Sequence, residues 1–138
     1  MNLSSTAQYA IRILSYMALN EEKIFTAAQL VEKLKISDKY LRRLMTDMTK
    51  AGLIHSYQGR NGGFSLNKPL EEIYLIDIIS AVEDKSKYAG CILGFEQCSD
   101  ENPCSLHAEW VKVRSHVSGF LMNGTVAQII SKHSMMKF

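Results

Sequence analysis

Apolar residues recur along this chain at two different periods, and the switches between them divide it into elements. From Ala7 the spacing is helical: Ala7, Ala10, Ile11, Leu14, Met17 and Ala18 make one stripe, with Ser4 or Ser5 available as N-cap. Asn20-Glu21-Glu22-Lys23 breaks the pattern, and Thr26 caps a short helix that turns Leu30, Val31 and Leu34 inward. Lys35-Ile36-Ser37 separates it from a segment over residues 38–51, for which Ser37 is the N-cap and Gly52 the expected left-handed C-terminal residue. Beyond Gly52 the period falls to two. Leu53, His55 and Tyr57 alternate with Ile54, Ser56 and Gln58; Gly59-Arg60-Asn61-Gly62-Gly63 supplies a turn; Phe64-Ser65-Leu66 reads as the return strand, closed by Lys68-Pro69.

Helical spacing resumes at Leu75, Ile76, Ile78, Ile79 and Val82, then lapses over residues 85–103, which read as a loop. Asn102 is placed to cap a long helix with Pro103 at its first position. In that helix Leu106, Trp110, Val113, Val117 and Phe120 are separated by 4, 3, 4 and 3 residues, the spacing of a coiled-coil seam. The seam is only about two heptads long, so it suits a dimer interface or core packing within one chain. Asn123-Gly124-Thr125 ends the helix before a last short one over Val126, Ile129 and Ile130. The predicted fold is mainly α with a small β-hairpin wing. A winged helix-turn-helix domain occupies residues 1–84, a cysteine-containing loop 85–103, and a dimerisation helix with a short C-terminal helix 104–138.

Two short helices joined by a tight turn and followed by an antiparallel hairpin describe a winged helix, a fold that docks on duplex DNA. In the helix over 38–51, Leu41, Leu44, Met45 and Met48 face inward, and Lys39, Arg42, Arg43, Thr46 and Lys50 lie opposite. Long basic side chains near the start of such a helix reach base edges in the major groove, while Thr26, Ser37 and Tyr40 offer hydroxyls to phosphates. Arg60 stands at the tip of a hairpin otherwise made of small residues, with Asn61 and Gly62 beside it, where a guanidinium can enter a narrow minor groove. Winged helices also bind proteins, so a protein-binding scaffold remains the competing reading.

Charge agrees with the DNA reading. Of the 138 residues, 46% are hydrophobic and 22% charged, and the net charge is +2. Residues 1–68 hold ten Lys and Arg against five Asp and Glu, whereas residues 69–138 hold six against nine. A basic front half suits a polyanion, and an acidic back half suits a separate task. The opening segment lacks a basic n-region and no apolar run approaches the roughly 18 residues of a membrane span. A cytoplasmic, reducing location is therefore expected, where structural disulfides are rare.

All three cysteines, Cys91, Cys98 and Cys104, fall within one window, with six and five residues between them. This is neither the paired C-x-x-C of a zinc ribbon nor the tighter run of a bacterial ferredoxin. Three thiolates on a loop can wrap a metal cluster if a fourth ligand exists, and His107 lies three residues after Cys104. In the predicted helix these two share a face, and the helix dipole favours the Cys104 thiolate. Inert buried cysteines, a zinc site and metal-free thiol redox sensing stay open. No Cys–His–acid nucleophile arrangement or cofactor fingerprint can be placed from spacing, so an enzyme is not expected. His55, His116 and His133 have no ligand-like neighbours and read as surface or packing residues.

The stretches LSSTAQYAIRILSYMA, ISDKYLRRLMTDMTKAGLI, GRNGGFSL and LIDIISAVE resemble the Rrf-two family of bacterial winged-helix transcription regulators, which includes the iron–sulfur cluster regulator and the nitric-oxide-sensitive repressor. The resemblance runs in order from residue 1 to about residue 130. It implies a homodimer on a two-fold DNA operator, with the helix near 104–121 as the dimerisation element. It also implies that Cys91, Cys98 and Cys104 hold an iron–sulfur cluster. A histidine three residues after the last cysteine completes a 2Fe–2S site in the iron–sulfur regulator branch, and His107 matches it. In the nitric-oxide branch an acidic residue of the other subunit's first helix ligates a 4Fe–4S cluster. Gln8 stands near that place here, and an amide is a poor iron ligand. The expected cofactor is therefore an iron–sulfur cluster, 2Fe–2S favoured and 4Fe–4S possible, although the first gap of six residues differs from the five of the iron–sulfur regulator branch.

Overall fold

The computed structural model describes residues 3–20 and 23–132; His133, read above as a surface or packing residue, lies outside them. Six helices and one hairpin follow in the order α1 (Ser5–Ala18), α2 (Ala27–Leu34), α3 (Asp38–Lys50), β1 (Ile54–Tyr57), β2 (Gly63–Leu66), α4 (Leu75–Val82), α5 (His107–Asn123) and α6 (Val126–Ser131). The caps expected for α1, α2 and α3 are in place. Ser4 Oγ accepts from the Ala7 N–H, Thr26 closes a reciprocal capping box with Gln29, and Ser37 Oγ accepts from the Tyr40 N–H. Gly52 has φ 77°, the left-handed conformation expected where α3 ends.

Inward stripes of α1 to α4 meet in one core. Ile13, Leu14, Met17, Leu30, Leu34 and Ile78 pack there with the apolar face of α3, Leu41, Leu44, Met45 and Met48, all fully or almost fully buried. The two strands pair antiparallel with Ile54 opposite Leu66 and Tyr57 opposite Gly63. Phe25 adds a third, one-residue rung: its N–H donates to the Phe64 carbonyl and its carbonyl accepts from the Phe64 N–H, both at 2.8 Å. This rung stitches the hairpin to the segment before α2. It also explains Gly63, where a Cβ would come within 2.9 Å of the Ile24 side chain and closer still to the Phe25 carbonyl oxygen.

A smaller cluster of Ala7, Leu75, Ile79 and Leu121 seats α5 on α1 and α4, with Val117 packed on its edge. The chain leaving α5 is stapled beside the start of α4: the Leu75 N–H donates to Gly124 O and the Val126 N–H to Ile73 O, each at 2.9 Å.

The start of α5 corrects the sequence-based placement. The helix begins at His107, not at Pro103, and its N-cap Leu106 offers no side-chain bond. Cys104 lies before it in a turn closed by the His107 N–H on the Cys104 carbonyl, 3.1 Å. Asn102, Pro103 and Cys104 are held instead as wall of a cavity, described below. Proline tolerates the first turn of a helix but does not command one. The helix-dipole argument for the Cys104 thiol lapses with the correction.

Between α4 and the cysteines a short 3₁₀ turn, Lys85–Tyr88, brings the chain back over the start of α1. Ser4 Oγ donates to Glu83 Oε2 at 2.6 Å, Tyr88 Oη donates to Glu83 Oε1 at 2.5 Å, and the Ser4 N–H donates to Tyr88 Oη at 3.2 Å. Desolvation of the Glu83 side chain, 7% exposed, pushes its carboxyl up. The hydrogen bonds from Ser4, Tyr88 and Lys87 outweigh this and hold it below the usual 4.5. A carboxyl lowered on folding stabilises above its unfolded value, and that stability is lost as pH falls through the folded value. Thermal unfolding should therefore show a stability advantage over Glu83→Gln that is constant above about pH 5 and shrinks below 4.5; parallel acid limbs for the two proteins would remove Glu83 as the cause.

Candidate nucleic-acid interface and thiol pocket

The polar face of α3 is open as expected: Lys39, Arg42, Arg43, Thr46 and Lys50 are all exposed. Arg42 lines a groove with Thr26 at the start of α2 and with Ser56, Gln58, Gly59 and Gly62 of the hairpin. Recognition helix, preceding helix and wing thus share one concave surface. Arg60 and Asn61 are exposed at the wing tip, between two glycines of that groove. Asp38 Oδ2 accepts from Arg42 Nε at 2.9 Å, one turn away on the same helix, leaving the two Nη groups of the guanidinium unclaimed by this pair.

Three residues assigned to phosphate contact have structural tasks as well. Ser37 Oγ and Thr26 Oγ1 cap their helices. Tyr40 Oη donates to Thr6 Oγ1 at 2.8 Å and its ring packs edge-on against Tyr9, so it ties α3 to α1. Thr46 Oγ1 donates back to the Arg42 carbonyl.

The cysteine loop folds onto the start of α5. Cys91, Cys98, Cys104 and His107 line one cavity of about 360 Å³, together with Phe95, Glu96, Gln97, Asn102 and Pro103. All three thiols are free and partly exposed. Two of the four donors touch. Cys98 Sγ lies 3.5 Å from His107 Nδ1. Desolvation pushes the Cys91 thiol up, but bonds from the backbone N–H groups of Phe95 and Leu93, from Cys104 and from Gly94 outweigh it and hold the thiol below its usual value.

Asp100 is the residue that spacing did not reveal. Its Oδ1 lies 2.8 Å from Nε2 of the buried His107. The thiol–imidazole–carboxylate arrangement that could not be placed from sequence therefore exists, as Cys98, His107 and Asp100 in a line. An acidic residue two positions after a candidate ligand was the available signal. Gln8, by contrast, is exposed on α1 and its amide donates to the Leu3 carbonyl.

The chemistry of this donor set suits iron: thiolates and an imidazole are the ligands of iron–sulfur centres. Among the described residues no three Cys, His, Asp or Glu side chains converge tightly enough for a single ion. Four donors spread around one cavity are the arrangement a multinuclear group would need. The 3.5 Å between Cys98 Sγ and His107 Nδ1 is a thiol–imidazole contact and also close to the edge, about 3.6 Å, of a tetrahedral site with metal–sulfur and metal–nitrogen bonds of about 2.3 and 2.0–2.1 Å.

The loop's stem is clamped from α5. Trp110 Nε1 donates to the Gly90 carbonyl at 2.8 Å, and Arg114 Nη1 donates to the Ala89 carbonyl at 3.0 Å. This divides the heptad seam lengthwise. Trp110 is 9% exposed against its own chain and Val117 packs on the α1–α4 cluster, whereas Leu106, Val113 and Phe120 are 46%, 51% and 66% exposed. No helix among the described residues is long and apolar enough to cross a membrane.

The family model Rrf2, described as an iron-dependent transcriptional regulator, matches residues 3–132. The HTH-type transcriptional regulator IscR of Serratia proteamaculans is 31% identical over 137 residues, covering 99% of this chain and 83% of the relative. Among solved structures, CymR of B. subtilis, the global cysteine regulator, aligns with TM-score 0.78 and 25% identity over 97% of this chain and 99% of that one. The oxidized form of Staphylococcus aureus CymR aligns with TM-score 0.75 and 26% identity over 99% and 100%. With its winged helix-turn-helix, open cationic helix and full-length match, the chain belongs to the Rrf2 family of DNA-binding transcriptional regulators.

Proposed function

We propose that the protein is a cytoplasmic homodimer that binds a two-fold DNA operator, and that an iron–sulfur cluster held by Cys91, Cys98, Cys104 and His107 sets its affinity. The observation that carries the cluster reading is the gathering of these four donors around one cavity. Two irons would need two protein donors each, and the four donors match that number, which favours 2Fe–2S. Gln8, its amide already bonded to Leu3, supplies no carboxylate for a 4Fe–4S alternative. Bound there, the cluster supplies redox chemistry and a crosslink between the loop and the first turn of α5.

This chain's own contacts carry the consequence to DNA. Cys91 follows directly on the Ala89 and Gly90 carbonyls gripped by Arg114 and Trp110, and Tyr88 reaches Ser4 at the start of α1. A shift of the loop therefore loads both α5 and α1, the helix to which Tyr40 ties α3. The exposed stripe of Leu106, Val113 and Phe120 is the surface on which a second copy would pair. A dimer presents its recognition helices to half-sites roughly 34 Å apart, so small rotations about that stripe change the fit.

Anaerobic purification with an iron and sulfide count and an absorption spectrum tests the cofactor, with about two of each expected per chain. A gel shift on holo-protein, apo-protein and Cys98→Ala tests the switch, and equal affinity in all three would remove it. A metal-free thiol switch is the second reading, favoured by three free thiols lining one cavity and by the likeness to an oxidized CymR. It requires DNA binding that responds to oxidant in protein carrying no iron.

A further inference from the structure

We infer that Asp100 is a positioning residue for His107: it fixes which imidazole nitrogen faces the thiol pocket and holds the ring there. The inference rests on the cluster reading above. A carboxylate can only accept a hydrogen bond. At 2.8 Å from Asp100 Oδ1, His107 Nε2 must therefore be the nitrogen that carries the proton. In the neutral ring this leaves the lone pair on Nδ1, the atom that stands 3.5 Å from Cys98 Sγ on the cavity side. Neither feature follows from the backbone. His107 is the first residue of α5, and the second torsion of a histidine is broad and roughly two-fold, so the ring could present either nitrogen.

Asp100 has no other visible employment. It lies outside the helices, and among the described residues it forms no ion pair with lysine or arginine. Its side chain is 97% exposed, yet it closes on a histidine that is almost wholly buried. A carboxylate spending its one bond on the far nitrogen of a candidate ligand is the arrangement that orients metal-bound histidines, and removing such a partner costs about 10–100-fold in metal affinity.

Wild type, Asp100→Ala and Asp100→Asn are reconstituted anaerobically with ferrous iron and sulfide, then challenged with a chelator while the cluster absorption is followed. Asp100→Ala should lose its cluster about 10–100-fold faster than wild type. Asp100→Asn should recover much of the lifetime, because its amide oxygen still accepts from Nε2–H. Nitrogen hyperfine coupling in the reduced cluster, which reports a coordinated imidazole, should be present in wild type and Asn and weakened or heterogeneous in Ala. His107→Ala sets the value for no imidazole. Asp100→Ser, too short to span the contact, repeats the truncation should the Ala variant fail to fold. Equal lifetimes and equal nitrogen coupling in wild type and the truncated variants would overturn the inference while leaving the cluster reading intact. Loss in Asn equal to that in Ala would overturn positioning by hydrogen bond, since charge alone would then be at work. A wild type that takes up no cluster would overturn the cluster reading, and the role of Asp100 with it.

Discussion

Raising salt from about 50 to about 200 mM should weaken binding to a duplex selected from a random library by about 10³- to 10⁵-fold, the loss expected when six to ten phosphates are neutralised. At any one salt concentration Arg42→Ala should remove a further roughly five- to hundredfold. The two effects have different origins. A dimer would present two copies each of Lys39, Arg43 and Arg60, all exposed, and displacement of counterions from phosphates by such cations sets the salt slope. Arg42 differs because Asp38 holds its Nε at 2.9 Å, which steadies the guanidinium and leaves its two Nη groups to reach O6 and N7 of a guanine. Arg42→Ala should then flatten the preference at one base position in each half-site and leave the salt slope almost unchanged. Arg60→Ala should lower the slope by about one per bound subunit. Fluorescence anisotropy across a salt series reads both quantities. A slope near zero, with neither arginine mattering, would move the winged helix to a protein-binding role.

The DNA-facing half was legible because its signals are local. A capping serine, a glycine past the helix end and a switch of period from helical to two each depend on a few neighbouring residues, and Ser37, Gly52 and the hairpin lie where they predicted. The thiol pocket was legible in its donors but not in its geometry. Asn102 and Pro103 carry a local helix-start signal that contacts elsewhere override: both line the cavity, and α5 waits until His107. Asp100 was legible only as an acidic residue near a candidate ligand, because the loop must turn back before its carboxylate can meet a ring seven residues on. Tyr40 shows the same limit in another form. Its place on α3 suggested a phosphate contact, but a hydroxyl's partner is decided by the packing of α1, where Thr6 lies 2.8 Å away.

The divided seam sets up the sharpest contrast between single substitutions. Heptad spacing cannot say whether the partner face belongs to the same chain, and here Trp110 is buried against its own chain while Phe120 is left mostly exposed. Trp110→Ala should destabilise the protein by about 3–5 kcal/mol, the range for truncating a buried aromatic side chain. The loss includes the bond from Nε1 to the Gly90 carbonyl, and Trp110→Phe isolates that bond at about 0.5–1.5 kcal/mol. Because this clamp lies within one chain, the loss should be the same at low and high protein concentration. Phe120→Asp should behave in the opposite way. A ring 66% exposed in the single chain contributes little to its fold, so unfolding of the isolated subunit should change by only about 0.5 kcal/mol. A charge placed on the pairing stripe instead opposes association, and the stability that pairing contributes rises with protein concentration. Thermal unfolding at two concentrations about a hundredfold apart, with sedimentation at both, separates the two cases, since coupled association adds a term in concentration. A concentration-dependent loss in Trp110→Ala would return that residue to the interface. A Phe120→Asp protein that still sediments as a dimer would mean that subunits pair through some other surface, and the rotation of recognition helices about this stripe could not then carry the signal from the cysteine loop.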